Sequence, residues 1–165
     1  MDEPERDLGG WLHRSPDRDQ FPRVINFSPM FDTRPEVATH LDEEFVGWMT
    51  TVTPTGQPQT SVVWFLRDDD DLLIYSQAAA RKLDNIAANP RVAFNLRGDA
   101  QGDKIATMEA TATIDHSPIP AHEVPRYLAK YEGEIVRLGW TPPEFAAGYP
   151  VLIRLRIDRI RSWQD

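Results

Sequence analysis

The chain has 165 residues, a net charge of −8 and no cysteine, which bounds it as one ordinary domain able to bury roughly 70% of its unfolded surface without staples. The missing thiols remove disulfides, thiolate metal sites and cysteine nucleophiles together, and the acidic balance argues against nucleic-acid binding, which needs a basic surface. No apolar run approaches the ~20 residues of a membrane span, and the acidic start "MDEPERDLGG" does not read as a signal peptide, so the sequence predicts a soluble, cytoplasmic protein.

Residues 1–34 mix prolines, charges and isolated aromatics without helical or strand periodicity. They read as an irregular N-terminal arm, ahead of a single organised domain over 35–165. In "RPEVATHLDEEF", Val37, Leu41 and Phe45 recur at every fourth position behind Pro35, which suits a helix's first turn. Three β-rich segments follow: "FVGWMTTV" (45–52), "QTSVVWFL" (59–66) and "LLIYSQ" (72–77), joined by "TPTGQP" and "RDDDD". Short connections between runs rich in β-branched and aromatic residues predict an antiparallel meander. A helix over 78–88 stops at Asn89-Pro90, and "RVAFNL" (91–96) and the alternating "KIATMEATATI" (104–114) are further strands. A helix from about Val124 carries Tyr127, Leu128, Tyr131, Ile135 and Leu138 on one stripe. The closing strand "YPVLIRLRIDRIRSW" alternates Val151, Ile153, Leu155 and Ile157 with mostly polar positions. About six mainly antiparallel strands and three peripheral helices predict an α+β, barrel-like sheet.

Familiar catalytic signatures are absent: there is no GxGxxG, GxxxxGK[ST], HExxH or GxSxG. His13, His40, His116 and His122 are scattered without metal-ligand spacing, so neither a metal site nor a catalytic side chain is nominated. Asp68 to Asp71 read as a solvated hairpin turn rather than a cation site. The feature that breaks a local rule is Arg81-Lys82, two cations in the first turn of a helix, where the macrodipole favours anions. Two readings stand. The cations point into solvent, or pair with Asp84 and the acidic turn; alternatively an anion sits at the helix N-terminus, with Ser76 and Gln77 offering further donors.

The succession "FVGWMTTVTPTGQPQTSVVWF", "LLIYSQAAARKLDNIAANPRVAF", a long alternating strand and a closing strand ending in Trp163 resembles the pyridoxamine-phosphate-oxidase-like split β-barrel superfamily. More narrowly, it resembles the actinobacterial branch of deazaflavin (coenzyme F420)-dependent oxidoreductases. The resemblance spans roughly 36–163 and implies an FMN-binding split-barrel-like fold. It implies a phosphate-binding turn at Ser76, Gln77, Arg81 and Lys82, and a strand, Ser61, Val62, Val63 and Trp64, whose backbone bonds the pyrimidine edge of a tricyclic ring. Flavin-using members carry Ser-Arg-Lys in the turn where this chain has Ala80-Arg81-Lys82, which favours F420 over FMN. The activity implied is hydride transfer between reduced deazaflavin and a conjugated small molecule. The resemblance also implies a homodimer with the active site at the interface, where Trp163 and the arm are candidates for the pocket wall. An FMN-binding oxidase or reductase and a non-catalytic cofactor- or tetrapyrrole-binding protein are the alternatives.

Overall fold

The computed structural model describes residues 35–69, 71–98 and 105–163, and the arm predicted over 1–34 lies outside them. The order of elements is α1 (Pro35–Glu43), β1 (Val46–Val52), β2 (Pro58–Trp64), β3 (Leu66–Asp68), β4 (Asp71–Ser76), α2 (Arg81–Ala88), β5 (Arg91–Asn95) and β6 (Ile105–Asp115). A short 3₁₀ turn at Ala121–Glu123 leads to α3 (Pro125–Arg137), α4 (Pro142–Gly148) and β7 (Val151–Trp163). No helix among the described residues is long and apolar enough to cross a membrane.

The strands form one antiparallel sheet in the order β2-β1-β5-β6-β7-β4-β3. Its two end strands, β2 and β3, are consecutive in the chain and separated by Phe65 alone. A sheet whose ends are one residue apart has to curl round until they meet, which gives the α+β split barrel expected. Phe65 also explains why seven strands replace the predicted six. The run "QTSVVWFL" was expected as one strand, but it pairs with β1 up to Trp64 and with β4 from Leu66. The turn into β2 closes with Gly56 at φ 89°, a backbone conformation that glycine adopts without strain.

Period-two alternation divides the apolar residues into two cores. Ala106, Met108, Ala110 and Ala112 of β6 and Val151, Ile153, Leu155 and Ile157 of β7 fill the barrel, joined by Val37 and Leu41 of α1. A second core lies between the outside of the sheet and α3–α4, where Leu73 and Tyr75 of β4 and Leu152 of β7 meet Tyr127, Tyr131, Ile135 and Phe145. The fourth helix, α4, escaped the periodicity reading because it is short and opens with two prolines. Its signal was present as Thr141-x-x-Glu144: Thr141 Oγ1 accepts from Glu144 N at 3.4 Å and Glu144 Oε2 accepts from Thr141 N at 2.8 Å, a capping box.

The seam at Phe65 is held from outside the sheet. Tyr131 Oη accepts from Phe65 N at 2.9 Å and shares its proton between the carbonyls of Phe65 (2.6 Å) and Phe45 (2.8 Å). These are the backbone groups that the break between β2 and β3 would otherwise strand. The Trp64 ring lies flat on Tyr131, with centroids 4.7 Å apart and planes 3° apart. Tyr131→Phe therefore keeps the packing and orphans a buried amide, and should cost about 1–3 kcal/mol in urea unfolding. A variant as stable as wild type would show that the seam closes without the hydroxyl.

Candidate functional site

β2 and β4 part company after Phe65. β2 is paired to β1 along one edge only, and β4 from Ile74 to Ser76 is paired to β7 alone. Between these two free edges the barrel is open, and a cavity of about 450 Å³ occupies the gap. Val62, Val63 and Trp64 line it from β2, and Tyr75, Ser76 and Gln77 from the end of β4. Backbone donors and acceptors on the two edges have no ladder partner among the described residues, so a ligand edge can be read by the sheet itself.

α2 closes one end of the cavity with Ala80 and Lys82. Ala80 is the N-cap residue and makes no side-chain cap. Ala80 N donates to Gln77 O and Leu83 N to Ala80 O, while the amides of Arg81 and Lys82 have no partner among the described residues. Lys82 is half-buried and forms no ion pair among those residues, and burial pushes its ammonium below the ordinary lysine value. The alternative in which the acidic turn neutralises these cations does not hold for the described carboxylates. Asp68 pairs with Arg126 and Arg154, and Asp71 with Arg154. Ser76 is buried, and its hydroxyl donates to Gln77 O at 3.3 Å.

Six of the eight predicted binding residues thus meet at one cavity: Val62, Val63, Trp64, Ser76, Gln77 and Lys82. Ser61 and Arg81 do not line it. Arg81 is exposed one residue before Lys82, because successive helical side chains are about 100° apart and only one of the pair can turn inward. The inward stripe of α2 also differs from the expected Leu83, Ile86 and Ala87. Ala87 is exposed, and Asn85 is buried instead, donating to Thr51 Oγ1 at 2.9 Å and Gln59 Oε1 at 3.0 Å.

The other end of the cavity was not foreseen. Tyr127 and Ile135 of α3 and Phe145 of α4 wall it, with Leu138, Trp140 and Tyr149 towards its mouth. Phe145 stacks on Tyr149 at 4.7 Å and on Trp64 at 5.4 Å. The sequence marked Tyr127 and Ile135 only as apolar stripe; nothing in their spacing distinguishes core from cavity wall. The cavity is therefore polar and cationic at α2 and aromatic at α3–α4. No carboxylate lines it, which suits an anionic group at the first end and an uncharged flat one at the second.

The comparisons agree with this architecture. A conserved hypothetical protein of Mycobacterium tuberculosis is similar at 23% identity, covering 86% of this chain and 90% of its own, with a TM-score of 0.66. A structure described as an F420 reductase is similar at 25% identity over 74% of this chain and 94% of its own, with a TM-score of 0.55. The heme storage protein HutZ of Vibrio cholerae shares the fold at 19% identity, covering 79% of this chain and 94% of its own, with a TM-score of 0.56. No curated protein matches the sequence. Residues 33–164, nearly the whole of the organised chain, match the pyridoxamine 5'-phosphate oxidase family, and the chain belongs to that family.

Proposed function

We propose that this chain is an F420-dependent oxidoreductase that passes a hydride between the deazaflavin and a conjugated small molecule, and that it works as a homodimer. The observation that carries the reading is Lys82, a half-buried ammonium without an ion-pair partner among the described residues, set on the first turn of α2 and lining the opening of the barrel. A phosphate placed there meets that ammonium, the open amides of Arg81 and Lys82, and the helix dipole together. Exposed Arg81 adds longer-range attraction from the rim. Ser61, Val62, Val63 and Trp64 supply the strand beside which the ring would lie: the free backbone edge reads its polar rim, and the valine side chains keep water from its face. When bound, reduced F420 supplies the hydride; the protein's share is to hold the ring, leave one face open and exclude water.

Two points favour F420 over FMN. Ala80 stands at the N-cap where the resembled flavin-using members carry serine, so one phosphate donor is missing, and the F420 reductase is among the similar structures. Haem is disfavoured because no histidine among the described residues lines the cavity. The dimer reading rests on Trp48 and Val62, register partners on β1 and β2 that are 44% and 48% exposed. An apolar pair at that position, beside the cavity mouth, suits coverage by a second copy. Titration of the purified protein with F420 and with FMN, followed by absorbance, should saturate with F420 and not with FMN. Saturation with FMN alone would replace this reading by the flavin one.

A further inference from the structure

Trp140 is 40% exposed, yet its backbone and ring are both held in place. It follows α3 directly, where Gly139 takes φ 82° and closes the helix: Gly139 N donates to Val136 O at 2.9 Å and Trp140 N to Ile135 O at 3.1 Å. This left-handed stop fixes the backbone from which the indole projects. The ring then reaches α4, where a Cβ built on Gly148 would come within 2.8 Å of it. Gly148 has no positive φ, so its backbone would accept alanine, and what its missing side chain accommodates is the indole. Beside the indole, Tyr149 lies at 6.2 Å and ends a column of stacked rings, Trp64 to Phe145 at 5.4 Å and Phe145 to Tyr149 at 4.7 Å.

We propose that Trp140 is the stacking surface for a flat, conjugated ring bound at the mouth of the cavity, and that Gly139 and Gly148 are positioning residues that present it. A mobile surface side chain loses rotamer freedom when a ligand settles on it; an indole already fixed does not. A rigid indole favours a ligand that lies parallel and offset on its face over a puckered one of equal apolar area. Trp140 lines the cavity together with Leu138, which is also exposed at the rim, and no charged side chain among the described residues lines that end; Lys82 stands on α2. The assignment deepens the proposed reading and rests on it only in naming the ligand as the hydride acceptor.

The probes are 2-naphthol and decahydro-2-naphthol, which share a carbon frame and a hydroxyl and differ in flatness. Calorimetric titration of the full chain without F420 should show 2-naphthol binding roughly fivefold more tightly, the scale of one ring stack. Trp140→Leu keeps an apolar rim but loses the flat face, and should erase the preference with Tm little changed. Trp140→Phe should retain most of it. Gly148→Ala displaces the indole from its seat and should lower the ratio likewise; in the Trp140→Leu chain it should change nothing further. No preference in the wild type, or one that survives Trp140→Leu, would overturn the stacking assignment. A Tm several degrees lower in Trp140→Leu would mark the indole as structural and overturn it too. A Gly148→Ala chain with an unaltered ratio, or an equal Gly148→Ala effect in both backgrounds, would overturn the seating. F420 binding without a flat-ring preference removes the Trp140 assignment alone. A Trp140-dependent preference without F420 binding removes the cofactor assignment alone.

Discussion

Lys82→Ala should lower the affinity for F420 about 100-fold, the scale of losing one charge-assisted hydrogen bond inside a cavity. Folding stability should stay level or rise slightly, since a half-buried cation at a helix N-terminus is unfavourable in the empty protein by about 0.3–1 kcal/mol. Arg81→Ala, removing a side chain that does not line the cavity, should cost less than about fivefold by the same scale. The pH dependence has a definite sign. The phosphate needs the ammonium form, burial lowers the Lys82 pKa from 10.5, and so affinity is held below that lowered pKa and lost as pH rises through it. Lys82→Arg, whose charge persists at any working pH, should bind as tightly at alkaline as at neutral pH. Isothermal titration across neutral to alkaline pH measures all three variants; an affinity within twofold of wild type for Lys82→Ala would end the phosphate assignment.

The largest effect on stability should come from Gly47→Ala. Gly47 is buried on β1, and the ring of Phe94 from β5 lies directly over its Cα, so that an added Cβ would fall on the ring atoms. Phe94 is itself fully buried and packed edge-on against Phe65 at 5.0 Å, so it has no room to retreat. Overpacking of this severity costs about 3 kcal/mol or more, equivalent to a Tm drop on the order of 6–12 °C for a chain of this size. Pairing it with Phe94→Leu should recover about 1 kcal/mol relative to the sum of the single changes, because the two residues share one contact. Strict additivity in thermal unfolding would place the strain elsewhere.

The strands were legible because alternation survives translation into structure: Ala106, Met108, Ala110 and Ala112 point into the barrel as their spacing requires. The cationic turn was legible because it broke a helix-terminus preference, and a broken preference carries information that a satisfied one does not. The break at Phe65 was not legible. No turn residue marks it; the chain runs on through apolar residues, and only a change of pairing partner distinguishes β2 from β3. The choice between Arg81 and Lys82 depends on the rotation of α2, which Asn85 fixes through Thr51 and Gln59, contacts 34 and 26 residues away in sequence. Trp140 shows a different limit. Its side chain is plainly apolar in the sequence, but whether an exposed ring stands over a cavity is a property of three-dimensional neighbours. For α4 the signal was there in Thr141 and Glu144, but a helix of seven residues is too short for apolar periodicity to show.

The two ends of the cavity are built on separate pieces of chain. The cationic end belongs to α2 and the turn before it, and the aromatic end to α3 and α4, which enter the sequence some forty residues later. Tyr131 fastens α3 to the seam from the same helix that carries Tyr127 and Ile135. Mutation can thus rework one wall while the clasp and the cationic end are left alone. A lineage with this plan is free to reshape the aromatic wall by drifting along one helical face, with the cationic end unchanged.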